Sequence, residues 1–407
     1  MRSPALLLLL CVAGSVGAAT AACADRSSAE SDEGSTDESN VGEEKDLYGT
    51  AAALPMKISA PLTTLFTRFK NNQADPPKPP KDGAVPNQFQ QPDFSEPGKM
   101  IITVGGVEKT LDMRVYVRGE SSRHDCPFTK LKIDFDDKEQ LKGTPFKGHS
   151  KFRLNTHCGP GDARSRSGMG RVTNGVGPVR EELIYRMVRA MGIPTYQTRV
   201  LSIHYEDTAA NNAAIDTFGV AIESGDDAAQ RFKKMQPALI PDTYEYLDPQ
   251  TASRGHASPQ NLAEIKVAET FAGNTDYGGT HNIDSWGVNP PTDIFQIAQD
   301  FDLTAITLGD VPGFWGRVEI AQAQAPLQDA SLAKRVASHR ADVLAAYKEA
   351  EKSAIAANAI TSADGITNDP GFLEAKKRFE ALYSLPEIQA ANGAPAPAPA
   401  DAGPDGQ

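Results

Sequence analysis

Residues 270–303 are rich in side chains able to handle a metal ion or a proton, among them Asn274, Asp276, His281, Asn282, Asp300 and Asp302. Carboxylates and amide carbonyls are hard oxygen donors. Mg²⁺ takes such donors, and one or two carboxylates together with substrate phosphates satisfy it. Asp300 and Asp302 flank Phe301 just after the apolar run 294–298, where a strand would deliver them. The same acids would suit a structural Ca²⁺. Asp276, close to Gly278 and Gly279, would suit an Asx turn. His281 is of a type more often hydrogen-bonded in a loop than bound to a metal. Residue types and spacing therefore leave a Mg²⁺–phosphate site and these structural roles both open.

The elements that must position these groups are legible on either side. Ser258-Pro259 pairs an N-cap residue with a first-turn proline, and Leu262, Ile265, Val267, Ala268 and Phe271 then repeat at helical spacing. That helix delivers the loop 274–282, and a short apolar strand leads to Asp300. Upstream, strands are expected at 99–104 and 110–117 around Gly105-Gly106, at 130–135, and at 151–155. Lys130 and Lys132 share one side of the third strand, opposite Leu131, Ile133 and Phe135. A helix over 179–191 buries Ile184, Val188 and Met191, and Glu181 lies on that stripe. A carboxylate there needs a partner against desolvation, and a strand lysine would serve; a helix-capping role is the alternative. Strands over 195–205 and 217–223 follow, the second ending in Glu223. Helices are expected over 326–357 and 370–383. The Gly/Arg/Ser-rich stretch 156–178, with Arg164, Arg166 and Arg171, suits either an anion-covering loop or an exposed flexible one.

Composition divides the chain further. Residues 1–22 read as a signal peptide, with Arg2, an apolar run and then small residues. Ala21-Ala22-Cys23 has the form of a lipid-attachment site, so Cys23 is a candidate lipid anchor to a membrane, with simple secretion as the alternative. Residues 23–46 hold nine acids against two bases and so carry more than half of the net charge of −12. Such a stretch reads as a solvated tether. The rest is only mildly acidic, which argues against nucleic acid as a partner. Residues 47–98 mix apolar patches with prolines and read as a lead-in to the folded part, and 386–407 as an Ala/Pro tail. In an exported chain the two remaining cysteines, Cys126 and Cys158, read as a disulfide. A zinc site with His124 and His157 is the rival.

Four stretches carry a family resemblance: Arg118-Gly119-Glu120-Ser121-Ser122 followed by 130–135; Arg180-Glu181-Glu182-Leu183 running to Ile193-Pro194; Phe218 to Glu223; and Gly273-Asn274-Thr275-Asp276 through His281-Asn282 to Asp300-Phe301-Asp302. Together they resemble the CotH-type atypical kinases, the spore-coat protein H family, over residues 99–350. The resemblance implies an α+β fold: a divergent, two-lobed, protein-kinase-like arrangement acting outside the cytoplasm. Its small β-rich lobe with one helix would cover 99–223, and a larger, mostly helical lobe 224–385. It also implies ATP, Mg²⁺ or Mn²⁺, and transfer of phosphate to a protein acceptor. Position by position, it makes Asp276 the catalytic acid/base and Asn282 and Asp300 metal ligands, with Asp302 beside them. Lys132, then Lys130, becomes the phosphate-contacting lysine, Glu181 its partner, and Glu223 a lobe-junction glutamate at the nucleotide. Two other readings stand beside it. One is an inactive kinase-like envelope scaffold, favoured by the scarcity of ATP outside the cytoplasm. The other is a metal-dependent phosphoesterase using the same acids.

Overall fold

The computed structural model describes residues 46–75, 93–119, 121–162, 165–235, 240–247, 252–274, 282–288, 291–309, 318–363 and 366–393. The signal peptide, residues 23–45 of the tether with Cys23, Asp276, His281 and the tail end 394–407 lie outside them.

Residues 54–223 build a closed barrel of seven strands in the order β1-β2-β3-β4-β5-β7-β6. They are β1 Leu54–Ala60, β2 Ser95–Val104, β3 Val107–Val117, β4 Leu131–Asp134, β5 Lys151–Thr156, β6 Thr198–Asp207 and β7 Ala213–Glu223. The β2–β3 turn is Gly105-Gly106, both at positive φ (56° and 81°), as a two-residue turn matched to strand twist requires. Closure comes from β1, antiparallel to β2 and parallel to β6. The β-rich part expected over 99–223 is thus larger than expected and is a barrel, because part of the presumed lead-in belongs to it. Leu54, Met56, Ile58 and Ala60 alternate inward with Met100, Val115, Ile133, Phe152 and Leu201 in the barrel core. Helix α1 (Leu62–Lys70) follows β1 directly, with Leu62 and Leu65 in the same core.

The remaining described elements are mainly helical. In chain order they are α2 (Ser122–Asp125), α3 (Val176–Ala190), α4 (Gly225–Met235), α5 (Pro259–Ala272), α6 (Ala305–Leu308), α7 (Gln324–Leu327), α8 (Ala330–Ser338), α9 (Arg340–Ala356), α10 (Pro370–Tyr383) and α11 (Pro386–Ala391). A four-stranded sheet of order β8-β10-β11-β9 sits among them: β8 Glu245–Leu247, β9 His256–Ala257, β10 Ile283–Gly287 and β11 Asp293–Ala298. Among the described residues, no helix is long and apolar enough to cross a membrane.

Helix α3 joins the two parts. It packs on β6 and β7 and also on α9 and α6, so it is buried almost all round rather than along one stripe. Arg180, Glu181 and Glu182 are each at most 2% exposed. Buried charges need partners, and all three have them. Arg180 makes a bidentate pair with Asp369 at 2.9 and 2.8 Å and donates to the Thr307 carbonyl at 2.9 Å. Glu182 pairs with Arg186 at 2.8 Å, and Glu181 bonds Asn155.

Candidate functional site

Helix α5 aims the chain at the site. Ser258 caps it, its Oγ accepting from Asn261 N at 3.1 Å. It stops at Gly273, whose φ of 73° few other residues adopt readily. Arg378 of α10 closes that end by donating to the carbonyls of Phe271 and Thr270, both at 2.7 Å, so carbonyls left over at the helix end are satisfied. Asn274 is fully buried and donates to Glu269 at 2.7 Å. It acts as a structural brace at the C-terminal end of α5.

The chain returns at Asn282 and forms the β10–β11 hairpin, in which Ile283 faces Ala298. One residue further out, the Asn282 carbonyl accepts from Gln299 N at 2.9 Å. Asn282 therefore lies across the ladder from the residue preceding Asp300. Both Asn282 (φ 55°) and Asp300 (φ 60°) are left-handed, a strained backbone that Asn and Asp tolerate best outside glycine. The Asp300 amide donates to the Tyr185 hydroxyl of α3 at 3.0 Å, fixing the bend. The register thus brings Asn282, Asp300 and Asp302 to one end of one hairpin.

Opposite them stands Lys130, just before β4 and 6% exposed. Its Nζ pairs with Asp300 and, at 2.9 Å, with Asp302. Burial disfavours the ammonium, but Asp300, Asp302 and Glu181 outweigh it and hold the Lys130 pKa above its ordinary value. Burial likewise opposes ionisation of Asp300, yet Lys130 and Arg118 keep its carboxyl well below the usual range. Glu181 sits behind this group, both oxygens accepting from Asn155 Nδ2 at 2.8 and 2.9 Å, and Asn155 Oδ1 accepts from Arg118 at 3.0 Å. Burial pushes Glu181 up to about 7, Lys130 pulling against it and Asp300 and Asp302 pushing further.

The donor set fits a hard divalent ion. Asp300, Asp302 and Asn282 offer oxygen ligands at a single hairpin end, and the remaining positions would fall to phosphate and water. Among the described residues no third acid, histidine or cysteine completes a denser cluster there.

Three residues sit differently from expectation. Of the two lysines, the structure brings Lys130 to the aspartates. Lys132 lies over the Tyr116 ring at 4.0 Å and lines a neighbouring cleft of about 240 Å³ with Arg153, Tyr246 and Asp284. Glu181 bonds Asn155 rather than a lysine directly. Glu223 does not reach the cluster: its carboxylate takes Arg231 at 2.6 Å and Gln197 N at 3.1 Å, because β7 ends where α4 begins and the glutamate clamps that corner.

Cys126 and Cys158 form a disulfide, so neither thiol is available to zinc. His157 instead packs on Phe128, with ring centroids 4.4 Å apart, and burial pushes its pKa down to about 4. Residues that escaped the sequence reading include Asn155, Tyr185, Arg153 and Asp284. Arg153 bonds Asp284 at 3.0 Å and Gln299 at 2.5 Å, beside Asp300. Its place in β5, a cation between the core residues Phe152 and Leu154, was the available signal.

No family model matches this chain, and no curated protein does. Among solved structures, the Helicobacter pylori proinflammatory kinase CtkA is similar over 66% of this chain and 92% of its own, at 8% identity and a TM-score of 0.31. The golgi casein kinase is similar over 65% of this chain and 69% of its own, at 11% identity and a TM-score of 0.30. At that level neither likeness carries an argument for fold or activity.

Proposed function

We propose that this chain is an exported, kinase-like phosphotransferase that moves the ATP γ-phosphate to a protein hydroxyl with Mg²⁺ or Mn²⁺. The observation that carries the reading is the meeting of Lys130, from the barrel, with Asp300 and Asp302, from the hairpin end, some 170 positions along the chain. Such a meeting puts a cation and two carboxylates around one point, which is the chemistry a metal-bound triphosphate requires.

In this reading Asp300, Asp302 and Asn282 hold the ion, which supplies charge neutralisation on the phosphates when bound. Lys130 is the phosphate contact, held charged by the acids around it. Glu181 and Asn155 form the hydrogen-bonded backing behind Lys130. Asp276 takes the proton from the acceptor hydroxyl as its oxygen bonds phosphorus and ADP leaves; this role rests on the resemblance, since Asp276 lies outside the described residues. Export rests on residues 1–22, and membrane attachment on Cys23.

One observation favours the inactive-scaffold reading: Lys130 and the two aspartates already neutralise one another. Incubation of the purified mature chain with γ-labelled ATP and Mn²⁺ separates the two. The active reading expects label on the chain or on an exported acceptor, loss of nucleotide binding in Asp300→Ala, and binding without turnover in Asp276→Ala. Absence of transfer from the parent, or parental transfer by both variants, rejects it.

A further inference from the structure

Arg171 lies on the loop between β5 and α3 and is 4% exposed. Each nitrogen of its guanidinium meets an oxygen. Nε donates to Asp302 at 2.7 Å, Nη1 to Asp125 at 2.9 Å and Nη2 to Ser121 at 2.7 Å. Asp125, the last residue of α2, is itself held: it also accepts from the Ser167 hydroxyl and from Met169 N at 2.9 Å. The next residue, Cys126, is bonded to Cys158 just beyond β5. A stapled carboxylate thus orients a guanidinium, and the guanidinium grips a second carboxylate.

We propose that Arg171 is a positioning residue for Asp302, with Asp125 as its orienter. The inference rests on the proposed function. Asp302 Oδ2 is shared between Arg171 and Lys130. A divalent ion at the hairpin end competes with the Lys130 ammonium for carboxylate oxygens, so that contact must be able to give way. Asp125 and Ser121 hold Arg171 independently of that contact, and Arg171 so keeps Asp302 in register. Groups that orient metal ligands in this manner change metal affinity by about 10–100-fold when removed. The three acceptors are spread around the edge of a planar fork, a geometry that the compact ammonium of lysine does not match.

The test is the Mn²⁺ dependence of ATP binding by the mature chain, measured by calorimetry on the parent, Arg171→Lys, Arg171→Met, Asp125→Asn, Asp302→Asn and the Arg171→Met/Asp302→Asn double variant. Arg171→Met should weaken Mn²⁺ by about 10–100-fold, Arg171→Lys should recover part of that, and Asp125→Asn should fall between. In the Asp302→Asn background, Arg171→Met should add less than about threefold, because the partner is already gone. Arg166→Gln, on the same loop but donating to the Leu308 carbonyl at 2.9 Å, should bind as the parent does. Should Arg171→Met not fold, Arg171→Lys and Asp125→Asn carry the comparison. Parental affinity in the Arg171 variants, or an undiminished loss in the double variant, overturns this inference alone. A parent that binds no Mn²⁺ with ATP removes the proposed function and this inference together.

Discussion

Glu181→Gln should make the metal-free protein more stable relative to the parent as the solution becomes less acidic. Glu181 is 1% exposed, and its carboxyl is raised from 4.5 to about 7. Between those two values the unfolded chain has lost this proton and the folded chain still holds it. Stability therefore falls as pH rises through that window and levels off above it. The separation corresponds to about 3 kcal/mol at 1.36 kcal/mol per unit. Glutamine carries no titrating proton, so the stability difference, variant minus parent, should grow by about 3 kcal/mol between pH 4.5 and pH 8. Asp300 acts in the opposite sense: its depressed pKa gives stability that is present above the ordinary carboxylate range and lost on acidification. Both chains contain it, so it largely cancels. Urea unfolding followed by circular dichroism, at a series of pH values with EDTA present, measures the difference. A difference that stays constant within about 0.5 kcal/mol, the usual scatter between independent sites, would refute the reasoning that Glu181 is a buried acid beside two others.

Three further outcomes are expected. Arg180→Met should cost about 3–5 kcal/mol, because it strands Asp369 as a buried, half-satisfied carboxylate; denaturant midpoints report it. Replacing Cys126 and Cys158 by serine opens a loop with a sequence separation of 32 and should lower stability by about 3–4 kcal/mol in the chain-entropy account, read from the same curves. Lys130→Ala should make Mn²⁺ without nucleotide more stabilising than it is for the parent, because the ammonium no longer competes for Asp300 and Asp302; thermal unfolding with and without Mn²⁺ shows it, and an unchanged response argues that Lys130 and the ion do not share these oxygens.

The sequence made some elements plain because their signals are local. Gly105-Gly106 announces a turn, Ser258-Pro259 a helix start, and Pro370 opens α10 with Asp369 as its cap. Closure of the barrel was hidden: Leu54, Met56, Ile58 and Ala60 do alternate, but Pro55 breaks the look of a strand, and β1 pairs with β6 across more than a hundred residues. The far ends of β6 and β7 were obscured in the same way, since residues 213–216 are exposed and carry no apolar period. At the site, Asp300, Asp302 and Asn282 were legible as a donor set close in sequence. The choice between Lys130 and Lys132 was not, because alternation puts both on one side of the strand expected at 130–135 and only the tertiary arrangement decides which meets the acids. Arg171 and Asp125 could be found only in three dimensions, since nothing in a Gly/Arg/Ser-rich loop says which arginine is buried.

In the proposed function, Lys130, Asp300 and Asp302 surround a place for a divalent ion and the phosphates of ATP. The most direct test is thermal unfolding of the mature parent and of Asp300→Asn, each with ATP plus Mn²⁺ and with EDTA. Ligand at about 100 times its dissociation constant stabilises a folded chain by about 2.7 kcal/mol. The parent should therefore melt several degrees higher with ATP and Mn²⁺, and Asp300→Asn should not respond. No shift in the parent, or the same shift in both, would contradict the account.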